Sequence, residues 1–575
     1  MDYAILGLLA ILVIVAVSAI APKLGVAAPL LLVVIGLAAS LNPGMPEFDP
    51  PPELILAVVL PPILYSAAVN VPLVDFRRNL KAITALSVVL VIVSALVSGL
   101  LLYWLLPELN LAAAIALGAV ISPPDAVAAT SIGKRLGLPP RLVTVLEGEG
   151  LVNDASALVL LRSAVAATAG TLSLWEVIGD FAFAVAAGIV VGAVIGYVTV
   201  WVRSKLTNPV LNTTISFAVP FLAYIPAEEI NASGVLAVVV AGLITGHRSA
   251  QYFTAQNRIS ERMNWRTVQF VLENGVFLLM GLELKALVDE VTDEHLGVLQ
   301  AIGFGLLATL LLVIVRILYV IPLIASLRRD AKRAEARAPR MEIGRQRLTD
   351  YEAADLGPNK RVSERRLERM RLFLTRRQAD LDFVRDEGLG WRGGAVLAWS
   401  GMRGVVTVAA AQSLPSDLPY RPQLILIAFT VAIVTLLVQG GTLPLLIRRL
   451  KIVGTDASAD RAELAGLVDE ISAIAVETLD NPELAQENGE PFDPEVIERV
   501  RTDSLLLSLA MAEAVSDDAP GPHEQHRALR LRVLRAERAA MLDARATGSY
   551  SSRVLERAQY LLDLEESRLA QLGDE

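Results

Sequence analysis

Apolar runs of membrane-spanning length recur from the first residues to about residue 447, separated by short polar stretches. A bilayer core takes about 20 apolar residues of helix, so the pattern predicts an all-α polytopic membrane protein. Length and hydropathy divide it into about thirteen spans: 3–20, 26–42, 52–70, 82–106, 110–133, 142–168, 175–202, 209–226, 230–246, 267–285, 298–326, 393–413 and 422–447. The pattern then changes. Two amphipathic stretches, 525–546 and 552–571, flank Thr547-Gly548-Ser549, a helix stop and turn. The expected organisation is a transmembrane domain over 1–450 and a cytoplasmic helical tail domain over 451–575. Within the first, residues 328–392 form a basic insert, densely charged from Lys360 to Arg371. It reads as a solvated linker helix or as a helix lying on anionic lipid headgroups.

The loops alternate in charge. Lys23; Arg77, Arg78 and Lys81; Lys134, Arg135 and Arg141; Arg203 and Lys205; Arg248, Arg258, Arg262 and Arg266; and the 328–392 insert fall on one side, with Arg448, Arg449 and Lys451 opening the tail. Glu47, Glu108, Glu176, Glu228, Glu229 and Asp289 to Glu294 fall on the other, and only Arg421 breaks the pattern. The positive-inside rule then places the N-terminus outside and the tail in the cytoplasm of a bacterial plasma membrane, which needs an odd number of spans. The first span has no basic residues before it and reads as retained rather than cleaved.

Composition narrows the chemistry. The 575 residues are 54% hydrophobic and 19% charged, where a soluble domain carries about 25% charge. The net charge of -9 with an acid-rich tail argues against nucleic-acid binding. There is no Cys, which excludes disulfides and thiolate sites, and His247, His295, His523 and His526 have no metal-site spacing. No H-E-x-x-H helix is present, so neither an enzyme nor a resident cofactor is expected.

Three stretches interrupt the apolar pattern. Span 5 reads A-V-I-S-P-P-D-A-V, and Pro123 and Pro124 break its hydrogen-bond ladder near the middle. Groups freed inside a membrane must face protein or a water-filled cavity. Asp125 follows the break, where it can balance the positive dipole end of the second half-helix, or take part in ion binding. Span 12 reads A-W-S-G-M-R-G-V-V, with Gly401 and Gly404 around Arg403. Spans 5 and 12 lie an odd number of crossings apart and run in opposite directions. Interrupted segments in corresponding positions are a pointer to inverted repeats and a transporter binding site, although two kinked helices fit as well.

The third stretch is E-G-E-G-L-V-N-D, Glu147 to Asp154, near the head of span 6. A charge near mid-membrane costs about 2.5–3.5 kcal/mol on insertion scales, so such groups are rare and mostly functional. Glu149 and Asp154 are five residues apart and point about 140° away from each other on a helix. One helix can thus give Glu149 to a structural ion pair, with Arg403 as the expected partner, and Asp154 to a cavity. Glu147 lies nearer the cytoplasmic mouth. Asp154 has no cation within one turn, the nearest on its helix being Arg162. Asn153 is either a helix-packing contact or a companion ligand.

These residues resemble a known family. E-G-E-G-L-V-N-D followed by A-S-A-L-V-L is similar to the Asn-Asp span of the electroneutral branch of the monovalent cation:proton antiporter-1 family, the NhaP-type and animal sodium/proton exchangers. L-P-P-I-L-Y at 60–65, Asp125, A-E-x4-S-G at 227–234, F-L-L-M-G-L-E-L at 277–284 and G-M-R-G at 401–404 match in order over residues 1–450. The resemblance implies a homodimer whose subunits each hold two crossing broken helices beside the Asn-Asp helix. It implies exchange of Na+, K+ or Li+ for H+ at Asp154, with Asn153 as companion, Asp125 balancing the dipoles and Glu149–Arg403 as the core salt bridge. Ser66 stands where many members have a glutamate, Gly150 where many have serine, and Pro124 where threonine or valine is common. Ser66, Ser122 and Gly150 are therefore the expected additional lining positions. A gated channel or a non-transporting sensor on the same scaffold stays open as the alternative.

Overall fold

Prolines, capping residues and basic stretches cut the apolar sequence into helices, most of them near the expected spans; the helix over span 10 begins earlier, at Ala255, and so carries Arg258, Arg262 and Arg266, which were expected in a loop. The computed structural model describes residues 2–24, 26–42, 51–169, 174–291, 296–353, 360–386, 389–452, 457–481, 490–502, 522–546 and 552–571. In chain order the first helices are α1 (Asp2–Leu24), α2 (Ala28–Ser40), α3 (Leu60–Asn70), α4 (Leu73–Arg78), α5 (Leu80–Thr84) and α6 (Leu90–Leu105). Next come α7 (Leu111–Ile121), α8 (Ala126–Arg135), α9 (Pro140–Ala169), α10 (Leu174–Arg203), α11 (Pro209–Glu229), α12 (Gly234–Tyr252) and α13 (Ala255–Leu282). The membrane part closes with α14 (Leu284–Glu290), α15 (Val298–Ala353), α16 (Lys360–Asp386), α17 (Trp391–Trp399), α18 (Val405–Gln412) and α19 (Arg421–Arg449). Among the described residues, eight helices are long and apolar enough to cross a membrane, and Ala28–Ser40 and Leu54–Asn70 are shorter apolar helices.

The chain divides into two compact units, Met1–Val453 and Gly454–Glu575. The first unit has two apolar cores. One joins α3, α11 and α12 through Tyr65, Val219, Ala223, Val238 and their neighbours. The larger one joins α6 to α9 with α15 and α17 to α19 through residues such as Leu117, Leu146, Leu312 and Leu426. Small residues let helices approach closely, as lipid-embedded packing requires. Gly36 of α2 faces the backbone of Gly281 of α13, and a Cβ on either would overlap it. The outer surface is apolar, with Leu8, Trp104, Trp175, Leu299 and Leu310 largely exposed. In water such a surface would be a liability, whereas acyl chains cover it at no cost.

The basic insert begins as a continuation of α15 and returns through α16. The carboxylate of Asp380 accepts from Arg78 Nε at 2.8 Å and lies 3.6 Å from Arg77, while Phe383 sits under the guanidinium groups of both Arg78 and Arg141. This end of α16 therefore contacts α4 and the first turn of α9. In the second unit, helices Pro522–Ala546 and Ser552–Gln571 are joined by a two-point pair between Arg530 and Glu565 at 2.7 and 2.8 Å, and by Arg538 to Glu566 at 2.6 Å. Turn residues 547–549, like Glu47, lie outside the described residues.

Candidate ion-binding site

Both expected interruptions are present. Asn110 caps α7 by accepting from the Ala113 amide at 2.7 Å, and α7 ends at Ile121 just before the two prolines. Asp125 then opens α8 as its N-cap, accepting from the Val127 amide at 2.8 Å. The second interruption separates α17 from α18 across Ser400 to Gly404. The two breaks are tied together by a backbone hydrogen bond from the Asp125 amide to the Met402 carbonyl. Gly404 is required here because a Cβ would occupy the position of the Asp125 carboxylate. The Asp125 carboxylate thus lies against the start of α18 as well as of α8. Each helix end carries about half a charge, so one carboxylate balances two positive ends.

Arg403 does the converse. Its guanidinium donates to the carbonyls of Ile121 at 3.1 Å, Ser122 at 3.4 Å and Gly401, and its amide donates to Thr435 Oγ1 at 3.0 Å. It therefore satisfies carbonyls left open at the ends of α7 and α17 and places positive charge at their negative dipole ends. The expected Glu149–Arg403 salt bridge is not the one formed. Glu149 pairs with Arg316 of α15, Oε1 to Nη1 at 2.6 Å and Oε2 to Nη2 at 2.9 Å, with both side chains 2% exposed. Arg316 Nε donates in addition to the Leu397 carbonyl at 2.9 Å. A planar fork can meet a carboxylate at two points and still spare a donor, while the Arg403 fork is occupied by three carbonyls. The sequence signal for Arg316 was a lone arginine in the apolar run L-L-L-V-I-V-R-I-L-Y.

Asp154 is left over. Its helix α9 passes beside the first break. Asn153, fully buried, donates to the Pro124 carbonyl and accepts from the Asp154 amide at 2.6 Å. Asn153 thereby fixes α9 to the break and holds the carbonyl freed there. Among the described residues, the Asp154 carboxylate has no hydrogen-bond donor and no ion-pair partner. The other charges on α9 are engaged: Glu147 with Lys134 at 2.6 Å, and Arg162 with Glu228.

Asp154 and Asp125 line a cavity of about 570 Å³ whose other polar walls include Thr130, Lys134, Glu147, Arg262, Arg266, Gln269 and Glu273. On the opposite side of Asp154 the space shrinks to a cleft of about 10 Å³ between Leu158 and Leu161 of α9 and Val406 and Ala410 of α18. Beyond those leucines lies a second cavity of about 400 Å³ with Arg162 and Tyr224 in its wall. Asp154 lines both the large cavity and the narrow cleft.

The remaining expected positions divide. Gly150 lines the large cavity, and a Cβ there would overlap the methyl of Ala126, so a serine at this position does not fit the helix approach. Ser66 is fully buried behind the wall and donates to Gln269 Oε1 at 2.8 Å. Ser122 donates its hydroxyl back to the Ala119 carbonyl at 3.0 Å and does not line the cavity. Gln269 and Glu273 do line it and were not singled out from the sequence. Their spacing with Arg262 and Arg266 places all four on one stripe of α13, a polar stripe within a mixed helix.

A cavity reaching an unpaired carboxylate beside two crossed helix breaks is the kind of arrangement found at transporter binding sites. Comparison with known proteins gives the family. The sodium/hydrogen exchanger transmembrane family matches residues 8–449. An uncharacterized Na+/H+ exchanger of Mycobacterium bovis is 27% identical over all of this chain and 98% of its own length. A sodium, potassium, lithium and rubidium/H+ antiporter of Bacillus subtilis is 30% identical over 55% of this chain and 49% of its own. The solved sodium proton antiporter MjNhaP1 of Methanocaldococcus jannaschii shares the fold, with a TM-score of 0.53 at 16% identity over 78% of this chain and 99% of that one. The chain belongs to the sodium/hydrogen exchanger family: it is a multi-pass membrane protein that exchanges cations for protons.

Proposed function

We propose that the protein exchanges one monovalent cation for one proton electroneutrally, with Asp154 binding each in turn. The observation that supports this most is the Asp154 carboxylate at the end of the cavity, without a protein partner, while neighbouring charges on its helix are paired. A bare carboxylate in apolar surroundings is costly when charged, and a proton or a cation neutralises it equally well. Both ligands bring one positive charge, so the loaded and the protonated sites carry the same charge. Net exchange then moves no charge, and direction follows the two concentration gradients.

Under this reading the large cavity is the cytoplasmic access path to Asp154, which the basic residues Lys134, Arg262 and Arg266 in its wall support. The N-terminus lies outside, the tail and basic loops in the cytoplasm, and thirteen spans cross the plasma membrane. The core bearing α7 to α9 and α17 to α19 moves against the remaining helices, closing the large cavity and opening the cleft at Leu158 and Leu161. An empty, charged Asp154 does not make this transit because its desolvation is uncompensated, and that prevents leak. Asp125 and Arg403 keep the crossing electrically balanced, Glu149–Arg316 holds the core together, and Asn153 positions Asp154. Sodium is the main cation, with potassium and lithium as further substrates, in line with the ions named for the Bacillus subtilis relative. The unit of function is a homodimer within the lipid bilayer, serving pH and cation homeostasis.

The test is Asp154→Asn in everted vesicles. Cation-dependent dissipation of a pH gradient is expected to disappear while the protein remains in the membrane. Exchange at the normal rate would remove Asp154 from the mechanism, and a cation-dependent current through the unaltered protein would favour a channel.

A further inference from the structure

The large cavity has two unlike walls. Asp154, Asp125 and the Lys134-paired Glu147 stand on the α7–α9 side, and a further acid, Glu273, stands on α13, which packs with α2, α3 and α11. We infer that Glu273 is a second cation-handling carboxylate, holding the incoming monovalent cation across the cavity from Asp154, with Gln269 and Ser66 as its positioning residues. The inference rests on Asp154 being the exchange site.

Three observations support it. Glu273, Asp154 and Asp125 line one cavity, so each lies in the field of the others. Glu273 is held at one oxygen only: Gln269 Nε2 donates to Oε1 at 2.6 Å, and Ser66 Oγ fixes the Gln269 amide from behind at 2.8 Å. Among the described residues, Oε2 has no protein donor. None of the cations that share the cavity forms an ion pair with Glu273: Lys134 is paired with Glu147 at 2.6 Å, and Arg266 and Arg262 lie about two and three helical turns away along α13.

The chemistry suits a transient station. A carboxylate fixed through one oxygen offers the other to a hard cation, which takes oxygen ligands and water together. The three acids do not converge as a closed ligand set, since the described residues contain no cluster able to hold a metal ion. A partly hydrated cation bridging the walls is therefore the fitting occupant, not a dehydrated one in a cage. The Gln269 amide can also present its oxygen instead of its nitrogen. Turned that way, it accepts from a protonated Glu273, so the wall accommodates both forms of the acid.

The test uses the full-length protein in proteoliposomes, with Na+ as probe. Glu273→Gln is expected to raise the half-saturating Na+ concentration about tenfold, with the maximal rate changed less. Glu273→Asp restores it to within about threefold, and Gln269→Ala shifts it in the same direction by a smaller factor. Unchanged half-saturation in Glu273→Gln overturns the inference and leaves Asp154 untouched. If Glu273→Gln does not transport, Na+-dependent thermal stabilisation of the purified protein decides. A stabilisation needing about tenfold more Na+ supports the inference. One that follows the unaltered protein, at a lower Tm throughout, shows a structural role and overturns it. Asp154→Asn run alongside separates the two readings, because normal exchange in that variant removes the base on which Glu273 was placed.

Discussion

Glu149 of α9 and Arg316 of α15 meet at two points, 2.6 and 2.9 Å apart, in a place that water does not reach. The pair joins the Asp154 helix to α15, and through Leu397 to the end of α17. Removing one partner strands a charge, which costs about 3–5 kcal/mol. Glu149→Gln and Arg316→Ala are each expected to lower the Tm in detergent markedly. Arg316→Lys should recover only part, because an ammonium cannot make the two-point contact or keep the bond to Leu397. Wild-type Tm in Arg316→Ala would show the pair to be dispensable.

Gly404 and Gly150 are spaced for contact. Gly404→Ala places a methyl on the Asp125 carboxylate, and Gly150→Ser places its Cβ on Ala126. Both should reduce exchange at least tenfold at unchanged membrane content, since the crossing has to open to admit them. Gly7→Ala meets no atom within 4 Å and serves as the control. Vesicle exchange rates normalised to protein amount check this, and full activity in Gly404→Ala would contradict the close approach.

Asn153 bonds the Pro124 carbonyl, a group the proline break leaves without a helix partner. Asn153→Ala unsatisfies it at a cost of about 1–3 kcal/mol. The expected outcome is a lower Tm and a reduced maximal rate, with cation exchange still proton-coupled. Complete loss of cation dependence in a folded Asn153→Ala protein would instead make the amide a ligand.

A single carboxylate serving both ions sets the sign of the pH dependence. Protons compete with cations, so the half-saturating cation concentration rises as pH falls, approaching tenfold per pH unit where Asp154 is mostly protonated. The maximal rate at saturating cation changes less. Cation titrations at three pH values test this, and half-saturation independent of pH would require two separate sites. Electroneutrality adds that clamping the membrane potential with valinomycin and K+ leaves the Na+/H+ rate unchanged.

The insert has its own test. Asp380 joins α16 to Arg77 and Arg78, and Phe383 lies against Arg141 at the base of the Asp154 helix. Asp380→Asn is expected to leave the exchange stoichiometry alone and to increase protease sensitivity of the 328–392 region. Unchanged cleavage would show that these contacts do not hold α16. They are partly exposed pairs, each contributing about 0–1 kcal/mol, so the effect on overall Tm should be small.

How much of this was legible in one dimension follows from the physics of each feature. The helices were legible because a membrane imposes length and hydropathy on each span separately. The break at Pro123 and Pro124 was legible because proline removes a donor wherever it sits in a helix. Asp154 stood out as an unpaired acid in an apolar run, and its neighbours on α9 were readable by helical angle. Pairings were not. Glu149 had two buried arginines within reach, and the choice of Arg316 over Arg403 depends on which carbonyls the two helix breaks leave open, a property of their crossing. Gly150 looked like a missing oxygen in sequence, and only the approach of α8 shows it as the space that Ala126 fills. Glu273 looked like one more polar residue on α13. Its place in the Asp154 cavity comes from two bundles meeting, and local periodicity carries no information about the element across the gap.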